Sequence, residues 1–208
     1  MMEAPNIPLT INGRTVRVPL GTTILEVAQG ADIHIPTLCY HPQLTANGIC
    51  RLCAVEVVGA RNLQPACVAP VASDMVVNTE TERVNAARRV ILELLASTVD
   101  CSQAPEVPEY IERYGARPER YAGGVRRCFP VMDDNPFFVR DYSQCIMCWR
   151  CIQACGEDIQ HTFALTWGGR GVGSHVATVL RRTDARHDLR VPRELRVRLP
   201  DGGPQGQG

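Results

Sequence analysis

CYHPQLTANGICRLCAVEVVGARNLQPAC, residues 39–67, sets Cys39, Cys50, Cys53 and Cys67 in a C-x10-C-x2-C-x13-C pattern. Four soft thiolate donors are what an iron–sulfur cluster or a structural zinc ion requires. The C-x2-C hook is short enough for both of its sulfurs to reach one metal centre, while the long loop wraps the opposite side. Gly48 in that loop lets the backbone approach bound sulfide. Structural zinc more often joins two short hooks. Only one is present, so the spacing favours a [2Fe–2S] cluster over a four-cysteine zinc site. Cys39-Tyr40-His41 imitates half of a Rieske-type motif, but Cys53 stands where the second half needs histidine. His41 therefore reads as a turn residue and His34 as a packing or surface residue.

Upstream, IPLTINGRTVRVPLGTT (7–23) reads as a β-hairpin about Asn12-Gly13, a dipeptide favoured in tight hairpin turns. Thr22 or Thr23 caps a short helix, ILEVAQGA (24–31), that ends near Gly30. AVEVVGARNLQPACVAP (54–70) supplies another strand pair. Strand, strand, helix, loop and strand in about eighty residues fit a small α+β ferredoxin fold. TETERVNAARRVILELLASTVD (79–100) is helical: Thr79 with Glu82 makes a capping box, and Val84, Ala87, Ile91 and Leu94/Leu95 form one apolar stripe. Residues 102–136 read as irregular linker with one short helix around Tyr110.

A second cysteine run follows. CIMCWRCIQACGED (145–158) places Cys145, Cys148, Cys151 and Cys155 at C-x2-C-x2-C-x3-C. In a two-cluster ferredoxin the first three such cysteines hold one cluster and the fourth ligates the other. No cysteine occurs after Cys155, so no second motif follows. Cys145, Cys148 and Cys151 are thus expected to grip three irons of a single [4Fe–4S] cluster. The fourth ligand is open between Cys155, by proximity, and Cys128, by analogy with ferredoxins that use a remote ligand; Cys101 or an external group is a further option. A labile or [3Fe–4S] cluster is the corollary if none reaches. Met147 and Trp149 lie between the ligands and shield the site from water. Arg51 and Arg150 either bring positive charge to the two cysteine runs or lie on the surface.

Ten cysteines without a secretory-type start point to metal or redox chemistry rather than a disulfide framework. Acidic and basic residues balance at 22 each, which is not the footprint of a nucleic-acid binder. Apolar runs such as VILELLA (90–96) are too short to span a bilayer, and the opening MMEAPNIPLTING lacks a basic region followed by an apolar core. The expected location is the cytoplasm. GGRGVG (168–173) lacks the spacing and strand-to-helix context of a dinucleotide loop, and His161 and His175 stand alone. No catalytic residues are expected, and the chain reads as an electron relay.

IPTLCYHPQLTANGICRLCAVEV (35–57) resembles the [2Fe–2S] domain of three related proteins: the large iron–sulfur subunit of respiratory complex I, the diaphorase small subunit of NAD-linked hydrogenases and the alpha subunit of NAD-dependent formate dehydrogenases. STVDCSQAPEVPEYIERYG (97–115) is similar to the family's one-histidine, three-cysteine segment, HPxDC-x2-C-x5-C. Here Ser97 takes the histidine position, Ala104 the next cysteine position, and the last cysteine is absent. Cys101 alone cannot hold a cluster that needs about four ligands. DYSQC (141–145) through HTFALTWGGRG (161–171) resembles the family's first [4Fe–4S] motif, with the formate dehydrogenase subunits nearest. The resemblance, over about residues 7–180, implies an α+β chain with four parts. They are a β-grasp [2Fe–2S] ferredoxin domain (1–80), a degenerate helical segment (81–121), a small bacterial-ferredoxin-like [4Fe–4S] domain (122–180) and, read from its composition alone, an Arg/Gly-rich tail (181–208) expected to be disordered. It also implies an electron-transfer subunit working with a flavin-containing NAD(H) subunit and a molybdopterin or other redox subunit. The alternatives are a freestanding ferredoxin-like carrier, a truncated formate dehydrogenase alpha subunit, or a non-redox zinc-binding scaffold.

Overall fold

A computed structural model describes residues 5–133, 136–137 and 139–178; the tail at 181–208 lies outside the described residues. The chain divides into two units, Met1–Tyr40 with Ala46–Ile91, and His41–Thr45 with Leu92–Gly208.

In unit one, β1 (Asn6–Ile11) and β2 (Arg14–Pro19) form the expected antiparallel hairpin. Asn12 at φ 47° and Gly13 at φ 79° both take the left-handed region that a tight two-residue hairpin turn demands. Thr23 caps α1 (Ile24–Gly30) in a full capping box: its N–H donates to Glu26 Oε2 at 2.7 Å, and its Oγ1 accepts from the Glu26 N–H at 3.3 Å. The expected strand pair is β3 (Ala54–Val57) with β4 (Gln64–Pro65). A further strand, β5 (Met75–Asn78), runs parallel to β1 and antiparallel to β3, so the sheet order is β2-β1-β5-β3-β4. Leu9 and Ile11, two residues apart on β1, point inward together and pack with Ile24, Leu25, Val55 and Val77 in the core. Cys53 and Cys67 belong to that same core.

The helix that follows, α2 (Glu82–Thr98), crosses the division between the units. Its start differs from the expected capping box. Thr81 is the cap, accepting from the Val84 N–H at 3.2 Å. Thr79 is fully buried, and its hydroxyl accepts from Asn12 Nδ2 at 2.7 Å in the hairpin turn. The buried stripe also differs. Leu94 is 45% exposed, whereas Val84, Arg88 and Leu92, spaced four apart, are fully buried. That spacing is a helical face with an arginine at its centre.

In unit two, α3 (Glu106–Tyr114) is the short helix expected around Tyr110, and it stops at Gly115, left-handed at φ 62°. Glu93, fully buried on α2, accepts from the Arg117 N–H at 3.0 Å and Arg120 Nη1 at 3.0 Å, which fixes the turn after α3. α4 (Arg150–Cys155) carries the end of the second cysteine run, and β6 (Leu165–Gly168) pairs antiparallel with β7 (His175–Thr178). GGRGVG is the connection between these two strands. Among the described residues, no helix is long and apolar enough to cross a membrane.

Candidate functional site

Cys39, Cys53 and Cys67 are buried and Cys50 is half-buried. The four fall into two hydrogen-bonded pairs. The sulfurs of Cys53 and Cys67 lie 3.4 Å apart. That is too far for a disulfide bond of about 2.05 Å. It is near the separation of two thiolates on one tetrahedral metal, roughly 3.8 Å for metal–sulfur bonds of about 2.3 Å. Cys39 is hydrogen-bonded through its side chain to Cys50, whose N–H also donates to Cys39 Sγ at 3.4 Å. The short C-x2-C hook is therefore split between the pairs. Arg51, left-handed at φ 61°, lies between its two cysteines.

Within each pair the shared hydrogen bond raises one thiol and lowers the other. The hydrogen bond from Cys39, helped by the Leu52 N–H, draws Cys50 down to about 6. The same bond, then burial, pushes Cys39 well above the ordinary thiol range. Cys53 is likewise raised by its bond to Cys67 and by burial, and Cys67 is lowered by that bond. A metal ion bound to either pair displaces the shared proton. Among the described residues, no three Cys, His, Asp or Glu side chains converge on a point that would hold one metal ion.

Two surroundings of this loop stand out. Gly48 is left-handed at φ 63°, and a Cβ there would meet Val68 Cγ2 at 3.1 Å. Its N–H also bonds to Cys67 and contributes to lowering its pKa. Arg88 on α2 donates from Nε to the Leu52 carbonyl at 3.2 Å and from Nη2 to the Ala54 carbonyl at 3.0 Å, one on each side of Cys53. Its Nη1 pairs with Glu80 Oε1 at 3.0 Å. Arg51, which the sequence offered as the charge beside this run, is exposed.

In the second run, Cys145 and Cys148 are buried and Cys151 is half-buried. Met147 at φ 60° and Trp149 at φ 73° are left-handed although neither is glycine. Alternation of this kind turns successive N–H groups into an anion-binding concavity, and such strain persists where function requires it. The Met147 N–H donates to Cys145 Sγ at 3.4 Å. Arg127 steadies the loop from outside, donating to the Cys145 carbonyl at 3.0 Å and to Met147 Sδ at 3.3 Å, with a further bond to the Ser174 carbonyl. Trp149 is 38% exposed and meets Trp167 edge-on, with ring centroids 5.5 Å apart. Arg150 is buried; burial, and then its charge, lower the pKa of His41.

Cys155 lies four residues beyond Cys151 on α4 and so shares its face. Its buried sulfur accepts from the Ala164 N–H at 3.2 Å and the Leu165 N–H at 3.3 Å, and lies 3.1 Å from Thr162 Oγ1. Cys128 is exposed. Gly156 donates its N–H to the Ile152 carbonyl at 2.8 Å, which proline at this position cannot do, and a Cβ on it would sit 3.3 Å from the Phe163 ring.

At the degenerate segment, Ser97 donates its hydroxyl to the Leu94 carbonyl at 3.0 Å and Ala104 is buried. Cys101 is half-buried, with burial pushing its thiol up. His34 is exposed, His41 accepts from the Gln43 N–H at 3.3 Å in a turn, and His175 packs against Phe129 at 5.6 Å. Sequence reasoning missed Arg88, Arg127 and Thr162. Only Arg88 left a signal, its four-residue spacing from Val84 and Leu92.

Comparison with known proteins places these features in context. Residues 4–82 match the family described as 2Fe-2S iron-sulfur cluster binding domain. The chain is 42% identical over 184 residues to the NADP-reducing hydrogenase subunit HndD of Solidesulfovibrio fructosivorans, over 82% of this chain and 31% of that protein. It is 33% identical over 160 residues to an NADH-quinone oxidoreductase subunit of Rhizobium meliloti (strain 1021), over 73% of this chain and 19% of the relative. It is 30% identical over 184 residues to the mitochondrial NADH-ubiquinone oxidoreductase 78 kDa subunit of Candida albicans, over 85% of this chain and 25% of the relative. It thus spans at most 31% of the length of these curated relatives. The crystal structure of an NAD+-reducing [NiFe]-hydrogenase in the H2-reduced state shares the fold, with a TM-score of 0.77 and 24% identity over 97% of this chain and 88% of the other. Residues 4–82 thus carry a match to the 2Fe-2S iron-sulfur cluster binding domain, and the chain's relatives are subunits of an NADP-reducing hydrogenase and of NADH-quinone oxidoreductases, two of the protein types its motifs resemble.

Proposed function

We propose that this chain is an electron-transfer subunit of an NAD(P)H-linked oxidoreductase. It binds a [2Fe–2S] cluster through Cys39, Cys50, Cys53 and Cys67, and a [4Fe–4S] cluster through Cys145, Cys148, Cys151 and Cys155. The observation that carries the reading is the pairing of the first four thiols, with 3.4 Å between the sulfurs of Cys53 and Cys67. One pair per iron completes a [2Fe–2S] site. Such clusters supply one-electron transfer with little rearrangement. The chain's own work is to bind, enclose and tune them. Core packing around Cys53 and Cys67 excludes water, and the N–H groups of Gly48, Leu52 and Met147 bond to ligand sulfurs.

For the fourth ligand of the second cluster, we favour Cys155 over Cys128. Cys155 is buried, with two N–H donors already on its sulfur, the setting of a bound thiolate; Cys128 is exposed. The sheet order and its helix fit a β-grasp ferredoxin domain over 1–80, followed by the helical segment to 121 and a [4Fe–4S] domain to 180. Partners are a flavin-containing NAD(P)H subunit on one side and a second redox subunit on the other, in the cytoplasm. The named relatives favour a hydrogenase or quinone-directed partner; the formate-linked, molybdopterin-containing option rests on the HTFALTWGGRG text alone.

The test is iron and acid-labile sulfide per chain after anaerobic purification, with EPR on the reduced protein. About six irons and two distinct signals are expected. About two irons with a lone [2Fe–2S] signal would remove the second site. A colourless, zinc-loaded chain would overturn the redox reading altogether.

A further inference from the structure

Arg88 is 0% exposed, a charged group in the interior bonded to the residues on either side of Cys53. A guanidinium leaves water at high cost unless its donors are taken up. Here they are, and the partners are informative. The Leu52 and Ala54 carbonyls flank Cys53, and the Glu80 carboxylate takes the remaining arm at 3.0 Å. The planar fork of arginine fits two carbonyls and a carboxylate at once; the point charge of lysine does not. The Leu52 carbonyl also belongs to the peptide that carries the Cys53 N–H. Polarising the carbonyl strengthens that N–H as a donor.

We infer that Arg88 is a positioning residue of the first cluster site: it clamps the backbone on both sides of Cys53, and its charge, offset by Glu80, sets the reduction potential there. The inference rests on the reading of Cys39, Cys50, Cys53 and Cys67 as [2Fe–2S] ligands. Its physical basis is the extra negative charge that a cluster carries when reduced. A buried positive charge nearby favours the reduced form and raises the potential; a nearby carboxylate opposes it. Glu80 is 38% exposed, so its influence is the more screened of the two. A purely architectural arginine would make the same hydrogen bonds, yet exchanging its charge for a neutral side chain would leave the potential unmoved.

The test is an EPR-monitored redox titration of the [2Fe–2S] signal in the full chain, with the rate of iron release to a ferrous chelator as a second readout. Arg88→Met is expected to lower the reduction equilibrium constant about tenfold, or about 59 mV for a one-electron couple. Glu80→Gln should shift the potential in the opposite direction by a smaller amount. Arg88→Lys keeps the charge and loses the fork; it should hold the potential near that of the unmodified chain while releasing iron several-fold faster. If Arg88→Met fails to retain the cluster, the sign of the Glu80→Gln shift decides. Glu80→Gln with unchanged potential, or Arg88→Lys with unchanged iron release, overturns the inference while leaving the cluster assignment intact. Absence of any [2Fe–2S] signal in the unmodified chain removes the assignment and the inference together.

Discussion

In unit one two of the four cysteines are part of the hydrophobic core: Cys53 and Cys67 pack among Leu9, Ile11, Ile24, Val55 and Val77. In unit two the second cysteine run lies on a loop and on α4, and its shape is local, set by the left-handed residues Met147 and Trp149 and by the start of α4. Both loops are gripped from outside by an arginine, Arg88 on the Leu52 and Ala54 carbonyls and Arg127 on the Cys145 carbonyl. The first arginine is satisfied on every arm, while Arg127 keeps a buried Nε without a hydrogen-bond partner. The lesson is that one site is a product of global packing and the other of backbone conformation over a few residues. Damage to the core should therefore strip the first and spare the second.

The largest effect that can break this contrast lies at the second site. Cys148→Ala should remove about four of about six irons and leave the [2Fe–2S] EPR signal in place. Cys155→Ala should leave a labile or three-iron centre with a changed signal, and Cys128→Ser should change nothing. Iron loss in Cys128→Ser with retention in Cys155→Ala would reverse the ligand assignment.

An intermediate effect separates packing from local shape. Leu9→Ala, far from any cysteine in sequence, should cost about 2–5 kcal/mol through the cavity it leaves. Denaturant titration followed by metal analysis should show the [2Fe–2S] centre lost at lower denaturant, with the [4Fe–4S] signal unmoved. Equal loss of both would mean the two sites share one stability.

The smallest effect concerns protons. Cys50, drawn down to about 6 by the Cys39 thiol, lies below the ordinary thiol value of 9.0 in the folded apoprotein. A depressed pKa stabilises the folded state above the ordinary value, and that contribution is lost as pH falls through about 6. Alkylation of Cys50 in the apoprotein, followed by mass spectrometry, should slow about tenfold between pH 7 and pH 5. A rate still rising steeply from pH 7 to 9 would place the thiolate elsewhere.

Much of this was legible in the residues, for reasons that also explain what was not. The Asn12-Gly13 turn and the Thr23 cap depend on local chemistry, which the sequence records directly. The pairing of Cys39 with Cys50 and of Cys53 with Cys67 does not, because spacing along the chain says nothing of the handedness at Arg51. Thr79 and Glu82 match a capping box in text, but a partner 67 residues away claims the Thr79 hydroxyl and the helix starts later. β5 is four residues long, too short for alternation to declare itself. Arg88 stays out of any apolar stripe because it is charged, although its four-residue spacing from Val84 and Leu92 marks it as facing inward.

The central place of β5 has a consequence for how the protein is made. It is the last strand of its sheet to be synthesised, yet β1 and β3 both bond to it and meet only through it. The β1–β2 hairpin can form within microseconds of emerging, but the sheet has to wait for a pairing across more than sixty residues, a slow, non-local event. All four cysteines up to Cys67 have left the ribosome by then, and Arg88 has not. During that interval the thiols are open to solvent, oxidants and free metal ions. Insertion of β5 and packing of Arg88 on the Leu52 and Ala54 carbonyls come after all four cysteines are made, so the loop is enclosed last.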